Sequence, residues 1–238
     1  MQADLAPRRR RAALRELSPS VNGIPDFIWE ELSRSMDPVL RRMRFIDRMA
    51  SIYETRLWYQ FVLNIYGGFH SASLAELIKK VTANVGPTEG RVLDVACGPG
   101  TFGRRIASPR NEVFGIDVSG GMCRQGAAYL AALPFEASLF DAAICCGSLH
   151  LFADTVTALR EIGRAMKPAA VLSVFTFVAG RRGILTFRAV REWSRRTQGL
   201  HVFELPELEQ YLAASGFEDF QPDVSGSSVT FSARKQTA

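Results

Sequence analysis

The sequence VLDVACGPG, residues 92–100, places a short apolar run directly before a turn that contains two glycines. A strand that ends in such a turn lets the backbone approach a ligand, and the helix after it points its N-terminus at that ligand. Asp117 lies 19 positions after Gly98, at the end of the next apolar run, and its carboxylate can accept both hydroxyls of a ribose. This spacing is typical of a Rossmann-like site for an adenosine-containing cofactor.

Two kinds of adenosine cofactor compete for this turn. Gly98, Gly100 and Gly103 satisfy the pattern G-x-G-x-x-G, which is found in nicotinamide dinucleotide sites. Asp94 at the strand end and Pro99, which lacks a backbone N–H, both disfavour an anionic pyrophosphate. A carboxylate near the turn suits a ligand with a cationic end. S-adenosylmethionine carries an ammonium and a sulfonium and no phosphate, so the sequence favours it over NAD(P).

Residues 92–100 and Asp117 resemble motifs I and II of class I S-adenosylmethionine-dependent methyltransferases. The segments 133–135, 140–144 and 159–168 resemble later motifs of this family and occur in its order. The resemblance runs from about residue 45 to 235 and is greatest to the small-molecule methyltransferases of ubiquinone and menaquinone biosynthesis. It implies an enzyme that transfers a methyl group from S-adenosylmethionine to a small molecule, with no metal ion.

The resemblance also implies roles for individual residues. Asp94 would orient the amino end of the cofactor and Asp117 would hold the ribose, while Val118 and Met122 would flank the adenine. Tyr53 matches a tyrosine of the N-terminal lid helix in relatives. The sequence supports equally the interpretation that Tyr53 is a core aromatic residue of that helix. The full set of expected cofactor contacts is Tyr53, Asp94, Cys97, Gly98, Gly100, Asp117, Val118, Met122, Cys146 and Gly147.

One segment departs from the family. Leu133 follows Asp117 by only 16 positions, which leaves no room for the family's third strand and its acidic contact to adenine. We expect no strand between Asp117 and Leu133, and we expect the strand at 112–118 to be a sheet edge, or to be covered by a helix at 119–132 or a second copy of the chain. The adenine would then be partly open to solvent, with cofactor affinity on the order of tens of micromolar or weaker.

Methyl transfer is a displacement in which positioning and exclusion of water dominate, and a base is needed only when the acceptor must lose a proton. His150, just beyond Cys146 and Gly147, is the candidate catalytic base, and its alternative reading is a packed or solvent-facing histidine. Cys146-Gly147-Ser148 stands where nucleobase-amine methyltransferases carry Asp/Asn-Pro-Pro-Tyr. The sequence therefore disfavours nucleobases as acceptors.

The chain alternates short apolar runs with helical patterns over residues 87–238, which predicts an α/β fold. We expect a Rossmann-like, mostly parallel sheet with helices on both faces and a closing antiparallel hairpin near 217–234. Residues 36–86 are interpreted as an N-terminal helical lid whose last helix opens at Ser71, and the lid and core together form one methyltransferase domain, 36–238. Residues 1–35 are interpreted as a basic arm and irregular entry, with little regular structure before Ile28.

The composition of the chain limits the class of protein to which it can belong. The chain has 238 residues, of which 47% are hydrophobic, and a net charge of +5. This apolar content excludes disorder as the main state. The sequence contains no run of 18 apolar residues, so it predicts no membrane-spanning helix. The arginine surplus is clustered and does not by itself indicate nucleic-acid binding. The cysteines have no metal-ligand spacing, and the adjacent Cys145 and Cys146 suit a reduced, cytoplasmic protein.

Two alternatives remain open. A catalytically weak or silent relative could keep the scaffold for ligand or protein binding, which the shortened adenine wall favours. An NAD(P)-dependent oxidoreductase is the second alternative, and Asp94 and Pro99 disfavour it.

Overall fold

A computed structural model of the chain describes residues 20–21, 24–25, 56–68, 72–117, 133–152, 154–180, 184–198 and 200–237. Tyr53, Val118 and Met122 lie outside these residues, and so does the segment in which the absence of a third strand is expected. Before Ile28, where little regular structure is expected, two strands of two residues each, β1 (Ser20–Val21) and β2 (Ile24–Pro25), pair antiparallel.

A six-stranded sheet carries the fold, in the order β4-β3-β5-β6-β8-β7. β3 runs parallel to β4 and β5, and β5 runs parallel to β6, whereas β8 is antiparallel to β6 and β7. The Rossmann-like architecture with its closing hairpin is confirmed, and β4 is the outer strand of the sheet in the part of the chain that the structure describes. The strands are β3 (Gly90–Val95), β4 (Asn111–Ile116), β5 (Phe140–Cys146), β6 (Met166–Phe177), β7 (Phe217–Ser225) and β8 (Ser228–Lys235).

Six α-helices and two short 3₁₀ helices are described. The helices are α1 (Arg56–Gly67), α2 (Leu74–Val85), α3 (Gly103–Ile106), α4 (Thr155–Ala165), α5 (Arg188–Gln198) and α6 (Leu205–Ala214), with 3₁₀ turns at Leu149–Leu151 and Ile184–Thr186. The helix expected to open at Ser71 begins later, because Ser73 caps it. The Ser73 hydroxyl accepts from the N–H of Glu76, and the Glu76 carboxylate accepts from the Ser73 N–H.

Apolar side chains of the strands alternate between two hydrophobic clusters, one on each face of the sheet. On one face Leu93 and Val95 pack in the cluster that contains α4 and α6, and on the other Val92 packs in the cluster that contains α1 and α2. The lid expected over residues 36–86 includes α2, which packs against β5, β6 and β8 and buries Val81 completely, so α2 also forms part of the helical layer on the sheet.

The parallel strands bring their carboxyl ends to one edge of the sheet. The turn after β3, Asp117 after β4, Gly147 after β5 and Val178 after β6 all follow these ends directly. In open α/β sheets ligands bind outside this edge. In the described part of the chain, no helix is long and apolar enough to cross a membrane.

Candidate active site

The turn after β3 winds through left-handed backbone. The φ angles are 53° at Ala96, 52° at Gly98 and 76° at Gly100. Glycine adopts this region at no steric cost, whereas a residue with a Cβ carries strain of roughly 1–2 kcal/mol there. Ala96 is therefore a strained residue at the edge of the site, and such strain persists only where surrounding structure holds it.

The turn is bonded to the end of the neighbouring strand. The N–H of Gly98 donates to Oδ2 of Asp117 at 2.6 Å, and the N–H of Cys97 donates to the carbonyl of Ile116 at 2.9 Å. Asp117 itself is buried. The glycine turn and the carboxylate assigned to the ribose are thus one hydrogen-bonded unit.

Asp94 is buried at the end of β3, with 2% of its surface exposed. Its Oδ2 accepts a hydrogen bond from the N–H of Gly103 at 3.1 Å. A Cβ at Gly103 would lie 2.6 Å from the same oxygen, so only glycine lets α3 begin this close. The carboxylate assigned to the amino end of the cofactor therefore also anchors the start of α3, and it places a buried negative charge beneath the turn.

Cys97 and Gly115 are in close packing between the turn and β4. The thiol of Cys97 is half-buried, and a Cβ at Gly115 would lie 2.8 Å from its sulfur. The side chain of Cys97 therefore rests on the backbone of β4, and its position depends on the absence of a side chain at residue 115.

The hydroxyl of Tyr59, a residue of α1, lies close to Gly147 at the end of β5. The backbone at Gly147 is left-handed, with φ of 78°, and its N–H donates to the carbonyl of Phe175 at 2.8 Å. A Cβ at this glycine would lie 3.4 Å from the hydroxyl of Tyr59. Sequence reasoning selects Tyr53 from this region and misses Tyr59. The aromatic richness of residues 53–66 was the available signal, but nothing in it distinguishes one tyrosine from the other.

The thiol of Cys146 lies beneath Gly147 and is buried. Burial raises its pKa well above the ordinary value, and the charges of Asp94 and Cys145 add to that shift. Burial likewise raises the pKa of Cys145. Both residues therefore stay protonated at neutral pH and form apolar wall, without nucleophilic character.

His150 lies in the 3₁₀ turn after β5 and is 4% exposed. Its Nδ1 is 3.1 Å from Oγ1 of Thr176, near the end of β6, and its ring packs edge-on against Phe177 at 5.0 Å. This burial matches the reading of a packed histidine. It is also the geometry of an oriented imidazole, since a proton on Nδ1 that Thr176 accepts leaves Nε2 as the basic nitrogen.

A second histidine stands beside the first. The N–H of His201 donates to the carbonyl of His150 at 2.7 Å. Nε2 of His201 is 3.0 Å from Oε1 of Glu207, the same oxygen that accepts from the Tyr211 hydroxyl at 2.9 Å. Sequence reasoning does not name His201 as a site residue, because no local signal joins positions 150 and 201.

Among the residues that the structure describes, no group of three or more His, Cys, Asp or Glu side chains comes close enough together to hold a metal ion. The arrangement holds instead a strained glycine turn, two buried carboxylates, an aromatic hydroxyl at the tip of β5 and an oriented histidine.

Residues 93–174 match a protein-family model described as a methyltransferase domain. An uncharacterised chloroplastic methyltransferase of Arabidopsis thaliana is 28% identical over 218 residues, which are 80% of this chain and 60% of that protein. Demethylmenaquinone methyltransferase of Corynebacterium kroppenstedtii is 36% identical over 95 residues, which are 37% of this chain and 42% of that protein. The chain thus spans less than two thirds of either relative.

Among solved structures, phosphoethanolamine N-methyltransferase 2 of Haemonchus contortus, in complex with phosphomonomethylethanolamine and S-adenosylhomocysteine, superposes with a TM-score of 0.65. It is 16% identical in sequence, and the match covers 86% of this chain and 61% of that one. This likeness confirms the fold. Residues 93–174, which carry the glycine turn and Asp117, are thus similar to a methyltransferase domain, within a fold like that of the solved methyltransferase.

Proposed function

We propose that this chain transfers the methyl group of S-adenosylmethionine to a small-molecule acceptor. The observation that carries the proposal is the hydrogen bond between Gly98 and Asp117, which joins the two cofactor motifs at the carboxyl edge of the sheet. Residues 93–174 are similar to a methyltransferase domain, and their turn has the residues that a cationic, phosphate-free cofactor requires.

The residues at the edge fit this cofactor. Asp117, at the end of β4, would hold the ribose, and the left-handed backbone at Gly98 and Gly100 would let the methionine part approach the turn. The buried charge of Asp94 favours a cationic ligand over an anionic one. Tyr59 and Gly147 would close the site on the side of α1. When bound, the cofactor supplies a methyl group on a positively charged sulfur.

We assign the removal of the acceptor's proton to His150. Thr176 orients its imidazole, and the packing of Phe177 keeps the ring from turning. An acceptor hydroxyl or acidic carbon would lose its proton to Nε2 as the new bond to carbon forms. Exclusion of water by the aromatic side chains around β6 supports this role, because a dry site strengthens the contacts that align the reacting groups.

The finer features belong to the same proposal. We assign the chain to the ubiquinone and menaquinone type of small-molecule methyltransferase, supported by the similarity to demethylmenaquinone methyltransferase. We propose a cytoplasmic enzyme in which residues 36–86 form the N-terminal helical lid. A shortened segment after Asp117 leaves β4 as an edge, and a second copy of the chain could cover it.

Ligand binding tests the proposal directly. Isothermal titration and thermal shift would compare S-adenosylmethionine, S-adenosylhomocysteine, NAD and NADP at equal concentrations. We expect stabilisation by the first two only, and Asp117→Ala should abolish most of it. Tighter binding of NAD than of S-adenosylhomocysteine would overturn the methyltransferase reading. Binding without methyl transfer to any phenolic or carboxylic acceptor would favour a silent scaffold.

A further inference from the structure

Five large apolar side chains are exposed on two neighbouring parts of the chain, and together we call them the α1–α5 surface. Leu57 and Phe61 of α1 are 84% and 53% exposed, and Phe187 and Trp193 are 64% and 57% exposed. Ile184 in the 3₁₀ turn before α5 is the fifth. Single exposed apolar residues are ordinary, but a group of this size marks a contact surface.

The elements that carry the five exposed side chains pack together. The 3₁₀ turn Ile184–Thr186 contacts both α1 and α5. Leu57 and Phe61 are one helical turn apart, so they share a face of α1. The α1–α5 surface therefore continues from one helix to the next.

The outer face of α1 has no charge. After Arg56 the helix contains no Asp, Glu, Lys or Arg as far as Gly67. A helix that faces water normally carries charged residues on its outer side. Gln60 and Asn64, which follow the same face, bond to each other, the Gln60 side-chain N–H donating to Oδ1 of Asn64 at 3.0 Å. The face is thus suited to an apolar environment.

The neighbouring helix carries strong positive charge. α5 contains Arg188, Arg191, Arg195 and Arg196 against the single acid Glu192. Arg188 has no ion pair with any residue that the structure describes. The side chains of Arg195 and Arg196 share Glu192 and are 60% and 71% exposed. A cationic rim therefore borders the apolar side chains.

The α1–α5 surface also lies beside the opening of the candidate site. The turn at Ile184 follows the carboxyl end of β6, and α1 sends Tyr59 to Gly147 at the carboxyl end of β5. Whatever contacts this surface is therefore brought to the edge of the sheet where the acceptor is expected.

We propose that the α1–α5 surface docks the protein on an anionic lipid bilayer. Aromatic and aliphatic side chains on the convex outer sides of helices enter the headgroup region, while neighbouring arginines meet lipid phosphates. The charge of the rim decides between occupants, since the four arginines of α5 outnumber their acid partners Glu192 and Glu204. This net positive charge complements an anionic surface and repels a second copy of the same surface. The docked orientation would present the site opening to the membrane. This inference concerns binding alone and stands whether or not the proposed methyl transfer is correct.

Vesicle co-sedimentation tests the inference on the full chain. Vesicles of phosphatidylcholine alone would be compared with vesicles that also contain phosphatidylglycerol. We expect binding to the anionic vesicles only, weakened by added salt. Arg188→Ala should weaken it about fivefold, as expected for one arginine near a charged surface, and Phe187→Ser combined with Trp193→Ser should weaken it further.

Val224→Ser is the matched control. Val224 is a similarly exposed apolar residue, 45% exposed, but it lies on the edge strand β7 and outside the α1–α5 surface. Its variant should bind vesicles like the unmodified chain, and all variants should keep their binding of S-adenosylhomocysteine. Absence of vesicle binding, or equal losses in the control and the Phe187 and Trp193 variant, would overturn the inference. A dimer that the Phe187 and Trp193 variant splits would overturn it too, by assigning the surface to a second copy.

Discussion

The N–H of Gly98 donates a hydrogen bond to Oδ2 of Asp117, 2.6 Å away and 19 positions later in the chain. This contact gives Asp117 a structural role in addition to the ribose contact that we propose for it. The carboxylate holds the glycine turn in its left-handed path while its charge remains buried at the edge of the sheet. Loss of the side chain therefore affects both the turn and the ligand.

Asp117→Ala should weaken binding of S-adenosylhomocysteine by roughly 2–4 kcal/mol, because it removes a charged acceptor from two ribose hydroxyls and leaves the Gly98 N–H unpaired. Titration calorimetry measures this loss. Glu112→Ala is the control, since Glu112 is an exposed carboxylate on the same strand, and its affinity should stay unchanged. Equal affinities of the Asp117 variant and the parent would remove Asp117 from the site.

Gly115→Ala should destabilise the fold by about 1–3 kcal/mol, because the added methyl group meets the sulfur of Cys97 at 2.8 Å. Chemical denaturation measures the change. Combining it with Cys97→Ala should restore part of the loss, since the obstructing sulfur is then gone. If the two changes are simply additive, the contact between the turn and β4 is not the cause.

His150→Gln should lower turnover by roughly 10²–10⁴ and leave cofactor affinity nearly unchanged, if the imidazole takes the acceptor's proton. Thr176→Val should lower turnover less and should shift the pH–rate profile, because the ring loses the partner that fixes its tautomer. His201→Gln is the comparison variant and should keep turnover within about tenfold. A loss of tenfold or less in the His150 variant would return that residue to a packing role.

Alkylation by N-ethylmaleimide should distinguish the thiols. The thiolate is the reactive form, and burial raises the pKa of Cys145 and Cys146, so both should remain unmodified in the folded chain at pH 8. Cys97, which is half-buried, should react faster, and S-adenosylhomocysteine should slow its reaction. Peptide mass spectrometry locates each adduct. Modification of Cys146 at the rate of Cys97 would show that the tip of β5 is open.

Acid should unfold a Lys167→Met variant at higher pH than the parent. Burial acts to raise the pKa of Asp141, but hydrogen bonds from the Arg91 N–H and from Lys167 outweigh it, and the pKa lies below its ordinary value. A lowered carboxyl pKa stabilises the fold above the ordinary value of about 4, and that stability is lost as the pH falls through the folded pKa. Circular dichroism during acid titration follows the loss.

Lys79→Met is the control for this titration. Lys79 is exposed on α2, so replacing it should leave the acid midpoint where it is in the parent. Equal midpoints for the Lys167 variant and the parent would show that the Asp141 pair does not contribute to acid stability.

Local patterns predicted the elements where sequence neighbours decide the structure. The apolar run at 140–146 forms β5 over its whole length, and Asp154 caps α4, its carboxylate accepting from the Thr157 N–H. The start of α2 was misplaced although its signal was present. Glu76 stands three positions after Ser73, and that reciprocal pair outweighs Ser71.

Contacts between distant segments could not be read in the same way. The reach of Tyr59 to Gly147 spans 88 positions, and Thr176 meets His150 across 26. Both depend on how helices seat on the finished sheet, which periodicity does not encode. The motif from Val92 to Gly100 succeeded because a strand, its turn and the next strand end form one local unit.

The order of the strands has a consequence for how the chain is made. β6 lies between β5 and β8, so the open edge of its apolar segment is covered only by residues 228–235. A ribosome that has released residues up to 227 presents a sheet whose central strand lacks one neighbour, the kind of edge that pairs with other chains. The sheet therefore closes only after residues 228–235 have left the ribosome, and until then the open edge of β6 favours pairing with other chains.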